Sequence, residues 1–399
     1  MVMEELLEVF KLKLRHTSMN FIRSIMDDIN WDAQLIGIRG ARGTGKTTLL
    51  LQRLKSQSFA DGEALYVSLD NIYFSEHKIY YLARDFMKRG GKYLYIDEVH
   101  KYPNWSQELK NIYDDFPELR VAFTASSLLS LKDGNSDLSR RALMYELKGL
   151  SFREYINMSR QKSLPKYTLE EILTSSEKIS DMVLEEIKPL QLFDEYIKHG
   201  YYPFYHEGLN EYNQRLQEVV NYILEAELPQ LRKVDYAMVP KVKQLLYIIG
   251  QSVPFVPNIS KLSERIGISR VTLLHYLTAL QESRLILSMS KSTFGISALQ
   301  KPDKIFLENT NMMYALSGNN IDVGNLRETF FANQLSVTHK VNISPVSDFI
   351  VDDKFTFEIG GNKKGFSQMA NVDNSFVVAD NLDYGVGGKI PLWQFGFLY

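Results

Sequence analysis

The segment GARGTGKT occupies residues 40–47 and directly follows the apolar run LIGI (35–38). It fits the pattern G-x-x-x-x-G-K-[ST], with Lys46 and Thr47 at the last two positions. The next residues, TLLLQRL (48–54), favour a helix, so the segment connects the end of a strand to the start of a helix. A glycine-rich loop that arose by chance is the alternative, but here both the pattern and its context are satisfied. We therefore predict a phosphate-binding loop.

Backbone N–H groups at the start of a helix form a concave donor site for phosphate oxygens, and glycines leave that site unobstructed. The residues expected to hold a nucleotide here are Gly40, Ala41, Arg42, Gly43, Thr44, Gly45, Lys46, Thr47 and Thr48. Lys46 is expected to reach the β and γ phosphates, which makes it a catalytic candidate as well. The hydroxyl of Thr47 is expected to bind Mg²⁺.

An acidic pair follows the apolar run YLYI in YLYIDEVHK (93–101). Asp97 at the end of this strand would lie at the carboxyl edge of the sheet, where it can hold Mg²⁺ opposite Thr47. Glu98 is the natural group to orient and polarise the attacking water. A histidine beside a strand end is typical of a surface or packing residue, so His100 is given no role.

Two further sets of side chains are candidates near the γ-phosphate. Thr124 lies near the end of the apolar run VAFTA (121–125), and Ser126 directly follows that run. At the end of a strand, a hydroxyl can contact the phosphate or the water. The alternative, that these hydroxyls bond their own turn, stays open. Arg140 and Arg141 precede the fifth apolar run, and Arg141 is the catalytic candidate for an arginine finger, within the chain or across a self-association interface. A solvated arginine pair is the alternative.

The composition indicates an ordinary globular protein of several domains. The chain has 399 residues, of which 45% are hydrophobic and 24% are charged. The 46 basic and 48 acidic residues nearly cancel, so no overall field attracts the protein to nucleic acid or to an anionic membrane. With no cysteine and no long apolar stretch, we expect a cytoplasmic protein without a membrane partner.

Short apolar runs alternate with helical segments in the first third of the chain. They cover residues 33–38, 64–69, 93–96, 121–125 and 142–147. This alternation predicts a mostly parallel sheet with crossover helices. Only one run separates the loop from the acidic pair, which suggests the P-loop ATPases that insert a strand there. Residues 151–233 are rich in helix-favouring, charged segments, so we predict a helical region.

The order of these motifs resembles a widespread group of prokaryotic AAA-type ATPases with a C-terminal domain of unknown function related to PD-(D/E)xK nucleases. The resemblance spans nearly the whole chain and is most specific in IDEVHKYPNW (96–105) and FEIGGNKKGFSQ (357–368). It implies ATP as the nucleotide, and a helical lid and a winged helix before the last domain. The expected fold is α/β. Its parts are an AAA-type P-loop ATPase core (1–153), a helical lid (154–236), a winged helix-turn-helix (237–309) and a nuclease-like domain (310–399).

Residues 258–291 predict two helices joined by a turn at Gly267, with the second helix capped by Ser269. Strands near 285–290 and 304–307 would supply a wing, and such a unit can place its second helix in a DNA major groove. The basic side chains on offer are few: Lys261, Arg265, Arg270, His275 and Arg284. DNA binding and a purely architectural role therefore both stay open.

The stretch VSDFIVDDKFTFEIGG (346–361) predicts a hairpin whose turn centres on Asp353. Asp348 and Glu358 would then face each other on one side of the hairpin, where they could bind Mg²⁺. In the nuclease pattern a helical glutamate, here Glu328, joins them, and a lysine stands two residues after the second acid. That place is Gly360, with Lys363 or Lys364 as the substitutes, and Ser347 replaces the nominal proline. We expect a degenerate domain without nuclease activity, an active nuclease being the alternative.

The sequence thus predicts a Mg²⁺-dependent ATPase that couples hydrolysis to a conformational switch. The alternative is a nucleotide-stabilised module that binds DNA or a protein without useful turnover. Glu98 beside Asp97 favours turnover.

Overall fold

The structure is a computed structural model that describes residues 2–129, 138–251, 255–291, 302–318, 321–365, 369, 372–385 and 387–399. The chain divides into two units, residues 1–148 and 149–399. The finer division of the second unit into three domains stays a prediction.

The first unit contains strands β1 (Leu35–Gly40), β2 (Ala64–Ser68), β3 (Tyr93–Asp97), β4 (Arg120–Ser126) and β5 (Leu143–Glu146). Its helices are α1 (Val2–His16), α2 (Ile25–Asp28), α3 (Lys46–Ser56), α4 (Ile79–Lys88) and α5 (Trp105–Asp115). Short 3₁₀ turns lie at Ile72–Ser75 and Val99–Lys101.

The five strands of this unit form one parallel sheet in the order β2-β3-β4-β1-β5. They coincide with the five apolar runs, so the predicted parallel sheet is confirmed. Runs of buried apolar residues suit a parallel sheet because helices cover both of its faces. The order places β1 beside β4, and β4 beside β3, so the carboxyl ends of these three strands meet at one edge.

Helix α3 holds the phosphate loop against this sheet. Its Leu49 and Leu50 are fully buried in one apolar cluster with Ile36 and Ile38 of β1. Phe10 of α1 belongs to the same cluster. The apolar face of α3 therefore fixes where the helix begins, and with it where the loop backbone lies.

The second unit begins with helices, as predicted for residues 151–233. These are α6 (Phe152–Arg160), α7 (Leu169–Glu186), α8 (Pro189–His199), α9 (Tyr212–Tyr222) and α10 (Leu228–Arg232), with a π-helical turn at Ile223–Glu227. Capping boxes at Ser151 and Thr168 begin α6 and α7, because each hydroxyl accepts from the backbone N–H three residues on and the glutamate there returns the bond.

Three helices and a strand pair follow: α11 (Val239–Gln251), α12 (Ile259–Ile266), α13 (Arg270–Glu282), β6 (Ile286–Met289) and β7 (Lys304–Leu307). The turn between α12 and α13 lies at the predicted position. Gly267 has φ 70° there, and the Ser269 side chain accepts from the backbone N–H of Thr272. The two predicted strands are present and antiparallel. The winged-helix assignment itself stays a prediction.

The last part of the chain carries α14 (Thr310–Ser317), α15 (Val323–Leu335), β8 (Val341–Ile343), β9 (Phe349–Val351), β10 (Phe355–Gly360), β11 (Ser375–Ala379) and β12 (Lys389–Pro391). The strands form a sheet in the order β12-β11-β10-β9-β8. Val351 pairs with Phe355 and Phe349 with Phe357, so the hairpin turn centres on Asp353 as predicted. Within the part of the chain that the structure describes, no helix has both the length and the apolar character needed to cross a membrane.

Candidate functional site

The predicted phosphate loop connects β1 to α3 at the carboxyl edge of the first sheet. Gly43 and Gly45 have φ of 85° and 92°, in the left-handed region that residues with a Cβ seldom adopt. Lys46 and Thr47 form the first turn of α3, and Thr48 follows with an exposed side chain. The backbone of residues 40–48 thus has the strand-loop-helix placement that a phosphate cradle needs.

The Lys46 side chain lies folded into this loop. Its Nζ donates to the carbonyl oxygens of Gly40 at 2.8 Å and Ala41 at 2.9 Å, and the residue is 8% exposed. The Thr44 hydroxyl donates to the Ala41 carbonyl at 2.9 Å. A buried ammonium needs such partners, and a phosphate can take their place because its oxygens carry full charge.

The Asp97 carboxylate accepts hydrogen bonds from several side-chain hydroxyls of the site. Its Oδ2 accepts from the Thr47 hydroxyl at 2.7 Å, and its Oδ1 accepts from the Thr124 hydroxyl. The predicted meeting of Thr47 and Asp97 is therefore present in the structure. Asp97 is 3% exposed, so these donors compensate for the burial of its charge.

Tyr66 of β2 is a member of the site that the sequence analysis missed. Its hydroxyl lies 2.7 Å from Asp97 Oδ2, and burial together with the Asp97 carboxylate raises the pKa of Tyr66, which keeps the hydroxyl a donor. Its contact with Asp97 depends on how β2 pairs with β3, which no local sequence pattern specifies. Ser68 is level with Asp97, so Tyr66, two residues earlier, points to the same face.

Arg23 is a second residue that the sequence analysis missed. Its guanidinium donates to the carbonyl oxygens of Thr44 at 3.0 Å and Lys148 at 2.9 Å, and it is 7% exposed. It ties the phosphate loop to the end of the first unit. A single arginine outside any motif carries no sequence signal for this contact.

Glu98 follows Asp97 in an uncommon backbone conformation, with φ 58°. Its backbone N–H donates to the Thr124 hydroxyl at 2.9 Å. Burial and the neighbouring Asp97 raise the pKa of the Glu98 carboxyl, while Lys46 opposes that change. Thr124, fully buried, therefore holds both acidic residues, and its contact with the γ-phosphate or the water stays a prediction. The Ser126 hydroxyl accepts from Leu128 N at 3.4 Å, which is the turn alternative for this serine.

His100 is buried beside Glu98, so of the two expected kinds of residue, surface or packing, the structure excludes the surface one. The backbone N–H of Ser126 donates to its Nδ1 at 3.2 Å. Its Nε2 lies 3.6 Å from Glu98 Oε2, and its side chain is 3% exposed. The 3₁₀ turn Val99–Lys101 brings the ring back under the end of β4.

Arg141 lies away from the loop, so the structure contradicts the expected finger within the chain. Its Nε donates to Asp114 Oδ1 at 2.8 Å and its Nη2 to Oδ2 at 3.2 Å. Leu143, two residues later, is level with Ile36, four residues before Gly40. At ~3.3 Å per residue, the four residues from Ile36 to Gly40 span about 13 Å, so Leu143 lies about that far from the loop along the strand. Arg141 precedes Leu143 and is therefore on the side away from the loop. A role across a subunit interface stays a prediction.

The carboxylates predicted for the last part of the chain are compensated by basic side chains or by a backbone N–H. Lys364 Nζ contacts Glu358 Oε1, so of the two substitute lysines it is Lys364 that reaches the second acid. Asp348 Oδ2 accepts from the backbone N–H of Ile359 at 2.7 Å, and Glu328 pairs with Lys304 at 3.1 Å. Among the described residues, no three acidic or histidine side chains are grouped to hold a metal ion.

Comparisons with known proteins bear on the first unit most directly. Residues 32–156 match the family model of an AAA domain, and residues 190–322 match that of a domain of unknown function, DUF8612. The chain is 27% identical over 276 residues to the uncharacterized protein MJ1637 of Methanocaldococcus jannaschii. That match covers 63% of this chain and 56% of the relative, so the chain spans just over half the relative's length. Residues 32–156 thus carry an AAA-type domain.

Two solved structures were also found to be similar. The AMPPCP-bound DnaA from Aquifex aeolicus is 18% identical, with a TM-score of 0.26, and the match covers 65% of this chain and 84% of that one. The PCH-2 protein of C. elegans is 16% identical, with a TM-score of 0.24, and the match covers 70% and 67%.

Proposed function

We propose that the AAA-type domain binds ATP together with Mg²⁺ and hydrolyses it, and that this cycle drives a conformational switch. One observation carries the proposal. The Asp97 carboxylate is held by hydroxyls of Thr47 and Thr124, beside Glu98, at the sheet edge where the phosphate loop opens. Phosphate binding needs the loop, metal binding needs the Asp97 carboxylate with the Thr47 hydroxyl, and water activation needs Glu98, all at one place.

Nucleotide binding begins at the loop in this proposal. Backbone N–H groups of residues 43–47 receive the phosphate oxygens, and Lys46 exchanges its bonds to Gly40 and Ala41 for the β and γ phosphates. The folded position of the lysine favours this exchange, because its Nζ already lies at the loop carbonyls. Arg42 adds a further positive charge in the same loop.

The donor set at the end of β3 fits Mg²⁺. Thr47 and Asp97 offer a hydroxyl and a carboxylate, which are the hard oxygen ligands this ion prefers. Mg²⁺ is commonly held by one or two protein groups together with phosphate oxygens and water, so this small set is sufficient. When bound, the ion neutralises charge that develops on the phosphates.

Glu98 supplies the general base. It stands one residue beyond Asp97, and its backbone is fixed by Thr124, so its carboxylate can orient a water toward the γ-phosphorus and accept its proton. Thr124 links the base to the metal-binding carboxylate, and it is placed to sense whether the γ-phosphate is present. A change in this link is the proposed origin of the switch.

Two variants separate binding from chemistry. We expect Glu98→Gln to bind ATP nearly as the parent does and to hydrolyse it ~10²-fold more slowly, because only the base is lost. Lys46→Ala should weaken ATP binding itself. Release of phosphate and binding of a fluorescent ATP analogue measure the two effects, with the exposed Glu118→Gln as the matched control. Hydrolysis at the parent rate in Glu98→Gln would show that Glu98 is not the base.

A second candidate function is binding of DNA without useful turnover. The observation that favours it is the exposed basic pair Arg265 and Arg270, at the end of α12 and the start of α13. Assays of phosphate release with and without duplex DNA distinguish the two functions. Stimulation by DNA supports an ATPase that acts on DNA, and binding without release supports the second candidate.

A further inference from the structure

We propose that His100 is a positioning residue for ATP hydrolysis, which aims the Glu98 carboxylate at the attacking water. This inference rests on the ATPase function proposed above and extends it to a residue outside the loop and the acidic pair. It follows from the burial of the ring, the partner of each ring nitrogen and the place where Ser126 stands.

The first step is that packing alone favours an apolar residue over a histidine at position 100. The residue is 6% exposed, and a buried imidazole costs free energy unless its polar atoms have partners. An apolar residue would fill the same space without that cost. The neighbours Val99 and Tyr102 are buried as well, so an apolar or aromatic residue is acceptable in this turn.

The second step fixes the tautomer of the ring. The backbone N–H of Ser126 can only donate, so Nδ1 of His100 is the acceptor of their 3.2 Å bond. A neutral imidazole that accepts at Nδ1 carries its proton on Nε2. The N–H of the ring is therefore on the side of Glu98 Oε2, 3.6 Å away. His100 cannot act as the base through Nδ1, which Ser126 already uses.

The third step concerns the orientation of the Glu98 side chain. Its backbone is held by Thr124, but a glutamate side chain has further rotatable bonds, and its carboxylate must be aimed before it can take a proton. The 3.6 Å separation is longer than a hydrogen bond. Catalytic contacts often tighten only when substrate is bound, so a small rotation of Glu98 would close this one.

The end of β4 then organises both parts of the site. Thr124 contacts Asp97 and the backbone of Glu98, and Ser126, two residues on, holds the ring that faces the Glu98 carboxylate. Both contacts come from the last three residues of β4, so one strand end positions the metal-binding acid and the base together. This placement gives His100 its function.

Two substitutions separate the two ring contacts. In His100→Asn the amide oxygen can replace Nδ1 and keep the bond from Ser126, but no donor reaches Glu98. In His100→Gln the longer side chain can present its amide N–H where Nε2 was. We expect His100→Asn to lower kcat by ~10- to 100-fold, as loss of an orienting partner commonly does, with ATP affinity within about twofold of the parent. His100→Gln should keep several times the rate of His100→Asn.

A double-mutant cycle tests whether His100 acts through Glu98. The variant with both Glu98→Gln and His100→Asn should hydrolyse ATP no more slowly than Glu98→Gln alone, because the group that His100 positions is already lost. Tyr102→Phe is the control, since Tyr102 lies in the same turn and its hydroxyl contacts Glu108 instead. It should hydrolyse ATP at the parent rate.

Several results would overturn the inference. Parent kcat in His100→Asn would do so while leaving the ATPase function intact, and an equal loss of ATP affinity and kcat would indicate a structural role only. If neither variant folds, nitrogen NMR of the parent decides, since the inference requires the tautomer protonated on Nε2. A parent protein that binds ATP without hydrolysing it would remove the proposed function and this inference together.

Discussion

The Tyr66 hydroxyl and the Thr47 hydroxyl both donate to the same oxygen of Asp97, each at 2.7 Å. One donor comes from β2 and the other from the first turn of α3, so the carboxylate is oriented from two sides. In the Mg²⁺ site that we propose, a carboxylate held in this way keeps its geometry when the ion binds or leaves.

Tyr66→Phe should therefore weaken the Mg²⁺-dependent part of ATP binding by about tenfold, while ATP binding in EDTA stays unchanged. Titration of Mg²⁺ at fixed ATP measures the effect. Tyr95→Phe is the matched control, because Tyr95 pairs with Tyr66 in register, and its nearby charged group is Arg53 and not Asp97. Equal Mg²⁺ dependence in both variants would contradict a role for Tyr66.

Thr124→Val should lose both stability and hydrolysis, since the isosteric valine removes the donor to Asp97 and the acceptor for the Glu98 N–H. Leaving buried polar groups without partners costs about 1–3 kcal/mol, which urea unfolding can measure. Thr124→Ser keeps the hydroxyl and should retain most of both properties. A valine variant as stable as the serine variant would show that these bonds contribute little.

Arg141→Ala should leave hydrolysis by a dilute, monomeric protein within twofold of the parent, because Arg141 pairs with Asp114 far from the loop. Asp114→Ala breaks the same ion pair and is the control. The measurement is phosphate release over a range of protein concentrations. A finger across a subunit interface would instead appear as a loss of ~10³-fold or more that occurs in Arg141→Ala only, at concentrations where the parent self-associates.

Lys364→Met should destabilise the sheet of β8 to β12, because Glu358, with a side chain 3% exposed, loses its ion pair with Lys364. The expected cost is about 1–3 kcal/mol, below the ~3–5 of a fully buried pair, since solvent screens the 36%-exposed lysine. The bond to Glu358 raises the pKa of Lys364. A lysine whose pKa is raised in the folded state stabilises that state fully below its unfolded pKa of ~10.4, and this contribution is lost as the pH rises through the folded pKa. The loss of unfolding free energy in Lys364→Met should therefore be constant near neutral pH and shrink in strong alkali.

Thermal or urea unfolding at several pH values follows this change. The double variant with Glu358→Gln should recover much of the loss, because the buried position then carries no charge. A Lys364→Met protein as stable as the parent would show that the ion pair makes no net contribution.

Replacing Arg265 and Arg270 by glutamine should weaken binding to duplex DNA and lower its salt slope by about two, because each arginine would neutralise one phosphate. Fluorescence anisotropy at several salt concentrations measures both quantities. Lys162, which is exposed, and Arg215, which is half-buried, lie in the same unit and are paired with acidic residues, so they provide the control substitutions. If the parent does not bind duplex even at low salt, the DNA hypothesis for these helices is wrong.

Much of the first unit could be predicted because its signals are local. The five buried strands are runs of apolar residues, and the phosphate loop is a fixed pattern whose glycines meet a backbone requirement of the loop itself. Likewise, the hairpin register of Asp348 and Glu358 followed from the position of its turn. Long-range partners left no such signal, as Arg23 shows by binding carbonyls 21 and 125 residues away.

The apolar strands, the loop, the acidic pair and the cap and turn residues can be recognised from the sequence, because each depends on neighbours along the chain. Which strand ends meet depends on tertiary contacts. The parallel register brings Tyr66 to Asp97 and sets Arg141 at the far end of β5. That His100 faces Glu98 is likewise a tertiary feature, since that contact depends on how a buried turn packs under β4. Contacts across strands follow from sheet order, which no local pattern specifies.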